Sequence, residues 1–265
     1  MSDFGLKDNH SGIAKGVLLH NNPNSIIVDV THFANEANLL PTSFFLLSLV
    51  KYFPLGTIHV VANNIFYDSQ INHLVVAEKD GHIFIAPDNG VLTLTFGEYN
   101  KNSWQVFEYK ISHNLVNWMT AVAGVLNRIT EGNEMGIVNV LKNSGWCSIE
   151  LKPLKGLNQF NIREFEIECG VLFIDNYDNV ILNIHRNSFE SILGDKIFSI
   201  KIPRLGSIKQ MSSNYCDVPA GEPLCMTNIS GFLELAINHG SMATKLNLKD
   251  VASHHWQYNK IKIHF

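Results

Sequence analysis

Apolar positions recur at helical spacing over residues 11–20, where Ile13, Val17 and Leu18 form a stripe. Ser11 suits the cap and Asn21-Asn22-Pro23 the stop, so a helix is expected here. SIIVDV (25–30) is a short apolar run and predicts a buried strand. A second helix is expected over 38–52, ended by Phe53-Pro54 and Gly56. TIHVVA (57–62), residues 73–77 and HIFIA (82–86) carry strand patterns. Residues 116–129 return to helical spacing, with Val122, Val125, Leu126 and Ile129 on one face. Strands alternating with helices predict an α/β domain with a largely parallel sheet covered on both faces.

After about residue 150 the pattern shortens. Residues 170–174, 180–184, 196–202 and 260–265 are β-rich and separated by Gly, Pro, Asn and Asp turns. GFLELAIN (231–238) fits strand or helix equally. Short strands between turns predict a small all-β unit, a barrel or sandwich. Residues 152–160, with Pro153 and Gly156, form the natural boundary. The expected domains are therefore 1–152 and 162–265.

Of the 265 residues, 46% are hydrophobic and 17% charged, which suits a buried core and argues against disorder. A net charge of −4 offers no electrostatic footprint for nucleic acid or an anionic membrane. No run approaches the roughly 18–20 apolar residues of a membrane span. The opening MSDFG has neither a basic stretch nor an apolar core of a signal peptide, so a cytoplasmic location is expected. Cys147, Cys169, Cys216 and Cys225 form no CxxC pair, and no His stands at a zinc-finger offset. Reduced, buried thiols and no metal are expected. His254-His255 is an adjacent pair, and neighbours on a strand point to opposite faces.

Two motifs carry candidate chemistry. Ser2-Asp3-Phe4-Gly5 stands just before the first helix, where a carboxylate can accept both hydroxyls of a ribose and helix N–H groups face a polar ligand. Pro87-Asp88-Asn89-Gly90 follows strand HIFIA, at the carboxyl end where α/β proteins bind ligands. Each is equally a plain turn.

Taken together, SDFGLKD, GIAKGVL, NPNSIIVDVTH, YFPLGTIHVV, FIAPDNGVLT, FIDNYDNVILNI and ISGFLELAINHG occur in fixed order over nearly the whole chain. This resembles the family of S-adenosylmethionine hydroxide adenosyltransferases, whose relatives include the fluorinating and chlorinating S-adenosylmethionine enzymes. The resemblance implies a Rossmann-like N-terminal domain, a C-terminal β-barrel and a homotrimer, with the ligand between the N-terminal domain of one subunit and the C-terminal domain of its neighbour. It implies displacement at the ribose C5′, giving adenosine and methionine when water attacks. No cofactor is implied; S-adenosylmethionine enters as substrate or ligand.

Carried over by position, Asp3 matches the residue that holds the ribose hydroxyls, and Asp8 follows it as in the family. Asp175 and Asn179 match the pair contacting the methionine amine and the adenine edge, and Asn183 belongs to the continuation. Asn238 and His239 align with backbone that meets the adenine, and Tyr215 is a candidate aromatic face. The alternative for each is a turn or core role.

The departures lie in the catalytic stretch. Where the family carries VVDPGVGT and then an Arg pair, this chain reads Ala62-Asn63-Asn64-Ile65-Phe66-Tyr67-Asp68-Ser69-Gln70-Ile71-Asn72. Asn64 replaces the Asp that holds or activates water, and Ile71 replaces the catalytic Arg. An amide is no base and Ile71 is no donor. His113 matches the family's catalytic His, but Asn114-Leu115-Val116 replaces the following Gly-Arg-Asp. Ala37-Asn38 replaces an aromatic-Asp pair, and Ile229 a serine. Asp68 is a candidate displaced carboxylate. The family places a strand before the DFG loop, where this sequence has Met1-Ser2. Three outcomes are compatible: a weakened enzyme, a non-catalytic binder of S-adenosylmethionine or adenosine, and a trimer without a ligand.

Overall fold

The computed structural model describes residues 1–34, 38–66, 73–97, 104–108, 114–131, 160–248 and 260–265. The chain divides into two compact units, Met1–Lys155 and Gly156–Phe265.

The first unit holds strands β1 (Ile58–Val60), β2 (His73–Lys79), β3 (His82–Pro87) and β4 (Trp104–Glu108), and helices α1 (His10–Asn21), α2 (Leu39–Leu49), α3 (Val91–Phe96) and α4 (Leu115–Glu131). The described sheet runs β1-β3-β2-β4. It is mixed rather than largely parallel: β1 and β3 are parallel, while β2 is antiparallel to both its neighbours. Asp80 and Gly81, both with positive φ, turn β2 directly into β3, the hairpin geometry that matches strand twist.

Alternation explains why these strands read as unbroken apolar runs. Leu74, Val76 and Ile85 join the core under α1 and α4, with Leu18, Trp118 and Val122. Val75, Ala77, Phe84 and Ala86 face the other way, onto Leu46, Val91 and Leu92 of α2 and α3. The buried face of α1 is Ser11, Ala14 and Leu18, rotated from the expected stripe through Ile13. Ser11 is therefore inside the helix, and Asn9 is the residue before it, without a side-chain cap bond. Helix α3 was not expected, because VLTLTF alternates like a strand. Gly90 and Gly97, both left-handed, bound it, and the Thr93 and Thr95 hydroxyls donate back to the Gly90 and Val91 carbonyls.

SIIVDV is not a strand. Ile26 is 93% exposed and no sheet ladder includes residues 25–30. A strand needs a neighbour, and among the described residues no ladder or bridge gives residues 25–30 one. Ser2 bridges Ala62 in parallel, donates its N–H to the Thr31 carbonyl and accepts from the Ala34 N–H. Beside Met1, the segment 25–30 and β1 bound a cavity of about 490 Å³ lined by Ala14, Leu18, Ile27, Ile58 and Met119.

The second unit carries β5 (Asn161–Arg163), β6 (Glu166–Ile174), β7 (Val180–His185), β8 (Ser199–Ile202), β9 (Gly206–Ile208), β10 (Met211–Ser212), β11 (Pro223–Thr227), β12 (Phe232–Ile237) and β13 (Lys260–His264). Two short helices are added, α5 (Arg186–Leu193) and α6 (Met242–Lys245). GFLELAIN is a strand. The order is β10-β11-β12-β7-β6-β13-β8-β9, with β5 beside β6. β9 and β10 stand at opposite ends of this order, yet only Lys209 and Gln210 separate them in sequence. Two linking residues reach about 10 Å, so the sheet must curl back on itself into a nearly closed barrel. Ile167, Val171, Leu182, Ile184, Leu233 and Leu235 fill it.

Cys169 and Cys225 are buried, and burial pushes the Cys169 thiol up to about 12. Cys216 is exposed, contrary to expectation. Cys147 lies outside the described residues. Among the described residues no helix is long and apolar enough to cross a membrane, and no three His, Cys, Asp or Glu side chains gather as a metal site.

Candidate functional site

In the first unit, Asp3 is held from the loop after β1. Its Oδ2 accepts the Asn64 backbone N–H at 2.7 Å and the Asn63 Nδ2 at 3.2 Å. Asn64 has φ 49°, a left-handed conformation that Asn tolerates better than most residues. That turn is pinned twice. Asn89 Nδ2 donates to the Asn63 carbonyl at 2.8 Å, and the Asn89 Oδ1 caps Val91 of α3. Thr42 of α2 donates to Asn63 Oδ1 at 2.6 Å. The first Asp, the NN turn and the PDNG loop of the sequence thus form one hydrogen-bonded cluster. Asp3 Oδ1 accepts no bond from the described residues. The hydroxyl of Ser2 and His32 Nδ1 lie 2.7 Å apart beside it.

Asp8 stands apart from this cluster. It is exposed, accepts the His10 backbone N–H and lies 2.8 Å from His10 Nδ1. Those bonds hold its carboxyl below the ordinary range and make it a helix-entry residue. Ile71, His113, Asp68 and Ala37 lie outside the described residues.

In the second unit, Asp175, Asn179 and Tyr215 come together. Asp175 Oδ1 accepts the N–H groups of Tyr177 and Asn179, and its Oδ2 accepts Asn179 Nδ2 at 3.0 Å. Asn179 is 4% exposed and its Nδ2 also points to the Tyr215 hydroxyl at 3.4 Å. The Tyr215 hydroxyl donates to Glu234 Oε1 at 2.7 Å. Burial and the Glu234 bond push the phenol above its ordinary range, and burial raises Glu234 as well. Tyr215 opens a 3₁₀ turn, Tyr215–Asp217, closed by a capping box between Asn214 and Asp217.

Asn238 and His239 sit at the far end of β12. Asn238 Nδ2 donates to the Val218 carbonyl at 2.8 Å, and exposed His239 occupies a left-handed turn position. Asn183 Oδ1 accepts the Gly170 N–H across the bulge between β6 and β7. Ile229 is 73% exposed, in a turn where Asn228 Oδ1 accepts the N–H groups of Ser230 and Phe232. Sequence reasoning missed Thr42, Asn63 and Glu234. Glu234 had a signal, as the one carboxylate inside the apolar run GFLELAIN.

Residues 1–126 match the SAM hydroxide adenosyltransferase N-terminal domain, and residues 169–253 match its C-terminal domain. The chain belongs to the SAM hydroxide adenosyltransferase family. It is 24% identical over 245 residues to the (R)-S-adenosyl-L-methionine hydrolase of Methanocaldococcus jannaschii, covering 89% of this chain and 86% of that protein. The hydrolase of the same name from Thermus thermophilus is 23% identical, with 94% and 95% covered. A fluorinase of Actinopolyspora mzabensis is 22% identical, with 94% and 93% covered. A crystal structure of an uncharacterized conserved protein from Thermotoga maritima superposes with a TM-score of 0.78 over 100% of this chain and 98% of that one. At 24% identity that likeness shows the fold, an α/β unit followed by the barrel.

Proposed function

We propose that this protein binds S-adenosylmethionine and cleaves it weakly at C5′ to adenosine and methionine. One observation carries this: the Asp3 carboxylate is fixed by two donors on Oδ2 while Oδ1 faces no protein partner among the described residues. A carboxylate oriented in advance, with one oxygen left over, is what a ribose hydroxyl requires. Hydrolysis would form a bond from water oxygen to C5′ as the C5′–S bond breaks. The bonding pair leaves on sulfur as the thioether of methionine, and the water proton passes to solvent or to a base. The sulfonium is already a good leaving group, so the protein's share is to orient water and exclude bulk solvent.

The turn at Asn64 favours a second reading, a non-catalytic binder. Asn64 spends its backbone N–H on Asp3, and its amide cannot take a proton from water. Incubation of purified protein with S-adenosylmethionine, followed by chromatography for adenosine, separates the two. Adenosine above the no-protein control supports the enzyme, whereas tight adenosine binding without product supports the binder. Neither product nor binding rejects both.

A homotrimer is part of the proposal. Phe33 and Leu6 in the first unit and Tyr177 and Ile197 in the second are exposed, and large exposed apolar side chains suit subunit contacts. Light scattering at micromolar concentration should give three times the chain mass, and a monomer rejects it.

A further inference from the structure

Glu234 has no evident reason to be a carboxylate. It lies in β12 between Leu233 and Leu235, is 6% exposed, and pairs with no Lys, Arg or His among the described residues. Burying a charge without a cation is costly unless hydrogen bonds repay it. Glu234 makes one such bond to a described side chain, from the Tyr215 hydroxyl at 2.7 Å.

The consequence lies two bonds away. A hydroxyl has one proton, and an ionised carboxylate only accepts. With its proton committed to Glu234, the Tyr215 oxygen can face Asn179 only as an acceptor. Asn179 must then present its NH₂ to Tyr215, and Nδ2 is indeed the atom at 3.4 Å. Asp175 makes the same demand from the other side, because its Oδ2 takes the second proton of that NH₂ at 3.0 Å. Both amide protons are thereby turned inward. Asn179 Oδ1 accepts no bond from the described residues and is offered to whatever occupies the site.

We infer that Glu234 is a positioning residue: acting through Tyr215, it fixes the polarity of the Asn179 amide so that the site presents an acceptor, and so selects a purine with a 6-amino donor over one with a 6-oxo group. This rests on the proposal above that the occupant is an adenine nucleoside and that Asn179 meets its base. A neutral amide at position 234 would relax the device. Gln has the length of Glu but carries its own NH₂, which can donate to the Tyr215 oxygen. The phenol proton is then free to turn toward Asn179, which removes one of the two holds on the amide and leaves only that of Asp175 against a flip that shows a donor outward. A 6-oxo purine, which carries an acceptor where adenine carries a donor, would be accepted more readily. Buried polar groups left unpaired are what make such discrimination strong.

The test is calorimetric titration of the full chain with adenosine and with inosine, for wild type, Glu234→Gln and Tyr215→Phe. Wild type should prefer adenosine by at least about tenfold. Glu234→Gln should reduce the ratio of the two dissociation constants by at least about threefold, chiefly by tightening inosine, without abolishing it, because Asp175 still holds one amide proton. Tyr215→Phe should reduce the ratio partially, because Asp175 still holds one amide proton. A merely structural Glu234 would weaken both nucleosides together and leave the ratio unchanged, which overturns the proposal. Wild type that binds adenosine and inosine equally overturns it too. Wild type that binds neither rejects the nucleoside occupant itself, and with it the parent proposal. Should Glu234→Gln melt too low to titrate, the same ratio is measured for wild type as pH falls. Tyr215, Asp175 and Tyr177 are the groups around this relay, and protonating Glu234 should then narrow the ratio in wild type, whereas a flat ratio down to the unfolding limit overturns the inference.

Discussion

The backbone N–H of Asn64 donates to Asp3 Oδ2 at 2.7 Å, and Asn64 does so from a left-handed conformation with φ 49°. What Asn64 supplies to Asp3 is therefore main-chain geometry. Gly adopts that conformation without a Cβ, whereas Ala in the left-handed region costs roughly 1–2 kcal/mol. Asn64→Gly should keep adenosine affinity within about twofold of wild type. Asn64→Ala should lower the melting temperature by a few degrees, about what 1 kcal/mol gives in a domain of this size. A Gly variant that loses adenosine more than tenfold would place the Asn64 amide, rather than its backbone, against the ligand.

Turnover should respond to a pair of changes and hardly to either alone. Asn64→Asp adds a second carboxylate next to Asp3, and like charges so close oppose each other's ionisation. Ile71→Arg restores the cation that the family resemblance implies at this position of the sequence. The double variant should release adenosine from S-adenosylmethionine at least about tenfold faster than wild type, a modest share of what a positioned base gives. Asn64→Asp by itself should bind adenosine more weakly than wild type. Wild-type hydrolysis that is already fast and survives His113→Ala would remove the basis for this expectation.

The elements that sequence made legible are those whose periodicity and neighbours agree. Strands β2 and β3 are two of them, each an apolar run, although their antiparallel pairing across Asp80-Gly81 runs against the largely parallel sheet expected. Helix α4 is another, because Val122, Val125 and Leu126 are buried as their spacing requires. SIIVDV failed for a reason no local pattern holds: it is apolar enough for a strand, but among the described residues no strand pairs with it. Helix α3 failed because Thr93 and Thr95 satisfy backbone carbonyls with their own hydroxyls, a choice that alternation does not reveal. In the site, Asp3, Asp175 and Asn179 stood out through their motifs. Glu234 did not, since its partner Tyr215 is nineteen residues away in sequence and its meaning appears only when the barrel closes.

Acid should destabilise the first unit through His59. Its ring is buried, stacked 5.0 Å from the Phe84 ring, with its Nε2 3.2 Å from His82 Nδ1. Burial first, then the neighbouring His82 and the chain's amino terminus, lower His59 from 6.5 to about 4. The folded state therefore holds a neutral ring where the unfolded chain takes up a proton. Stability is complete above about pH 6.5 and is lost as pH falls from 6.5 toward 4. The loss should be about 2 kcal/mol, after allowing for solvent near the ring. Urea midpoints at pH 7 and pH 5 measure it, and His59→Gln should flatten the difference. An equal loss in wild type and His59→Gln would assign the acid sensitivity elsewhere.

The proposed ribose contact of Asp3 can be counted. Oδ2 already accepts from Asn63 and Asn64, so one oxygen, Oδ1, remains for a strong bond to the ligand. Two hydroxyls held equally by two oxygens, the simplest expectation from sequence, would need Oδ2 to surrender a donor. The prediction is an asymmetric pair of mutant cycles using 2′-deoxyadenosine and 3′-deoxyadenosine against wild type and Asp3→Ala. A charge-assisted hydrogen bond contributes roughly 1.5–3 kcal/mol, so Asp3→Ala should weaken adenosine by at least tenfold. One deoxy analogue should lose a similar factor against wild type and almost nothing further against Asp3→Ala, because the two changes remove the same bond. The other analogue should give losses that add, because its missing hydroxyl met something else. Coupling of both hydroxyls to Asp3 would mean that the Asn63–Asn64 turn yields Oδ2 on binding. Additive losses for both would mean that Asp3 never touches the ribose and serves only to anchor the turn that follows β1.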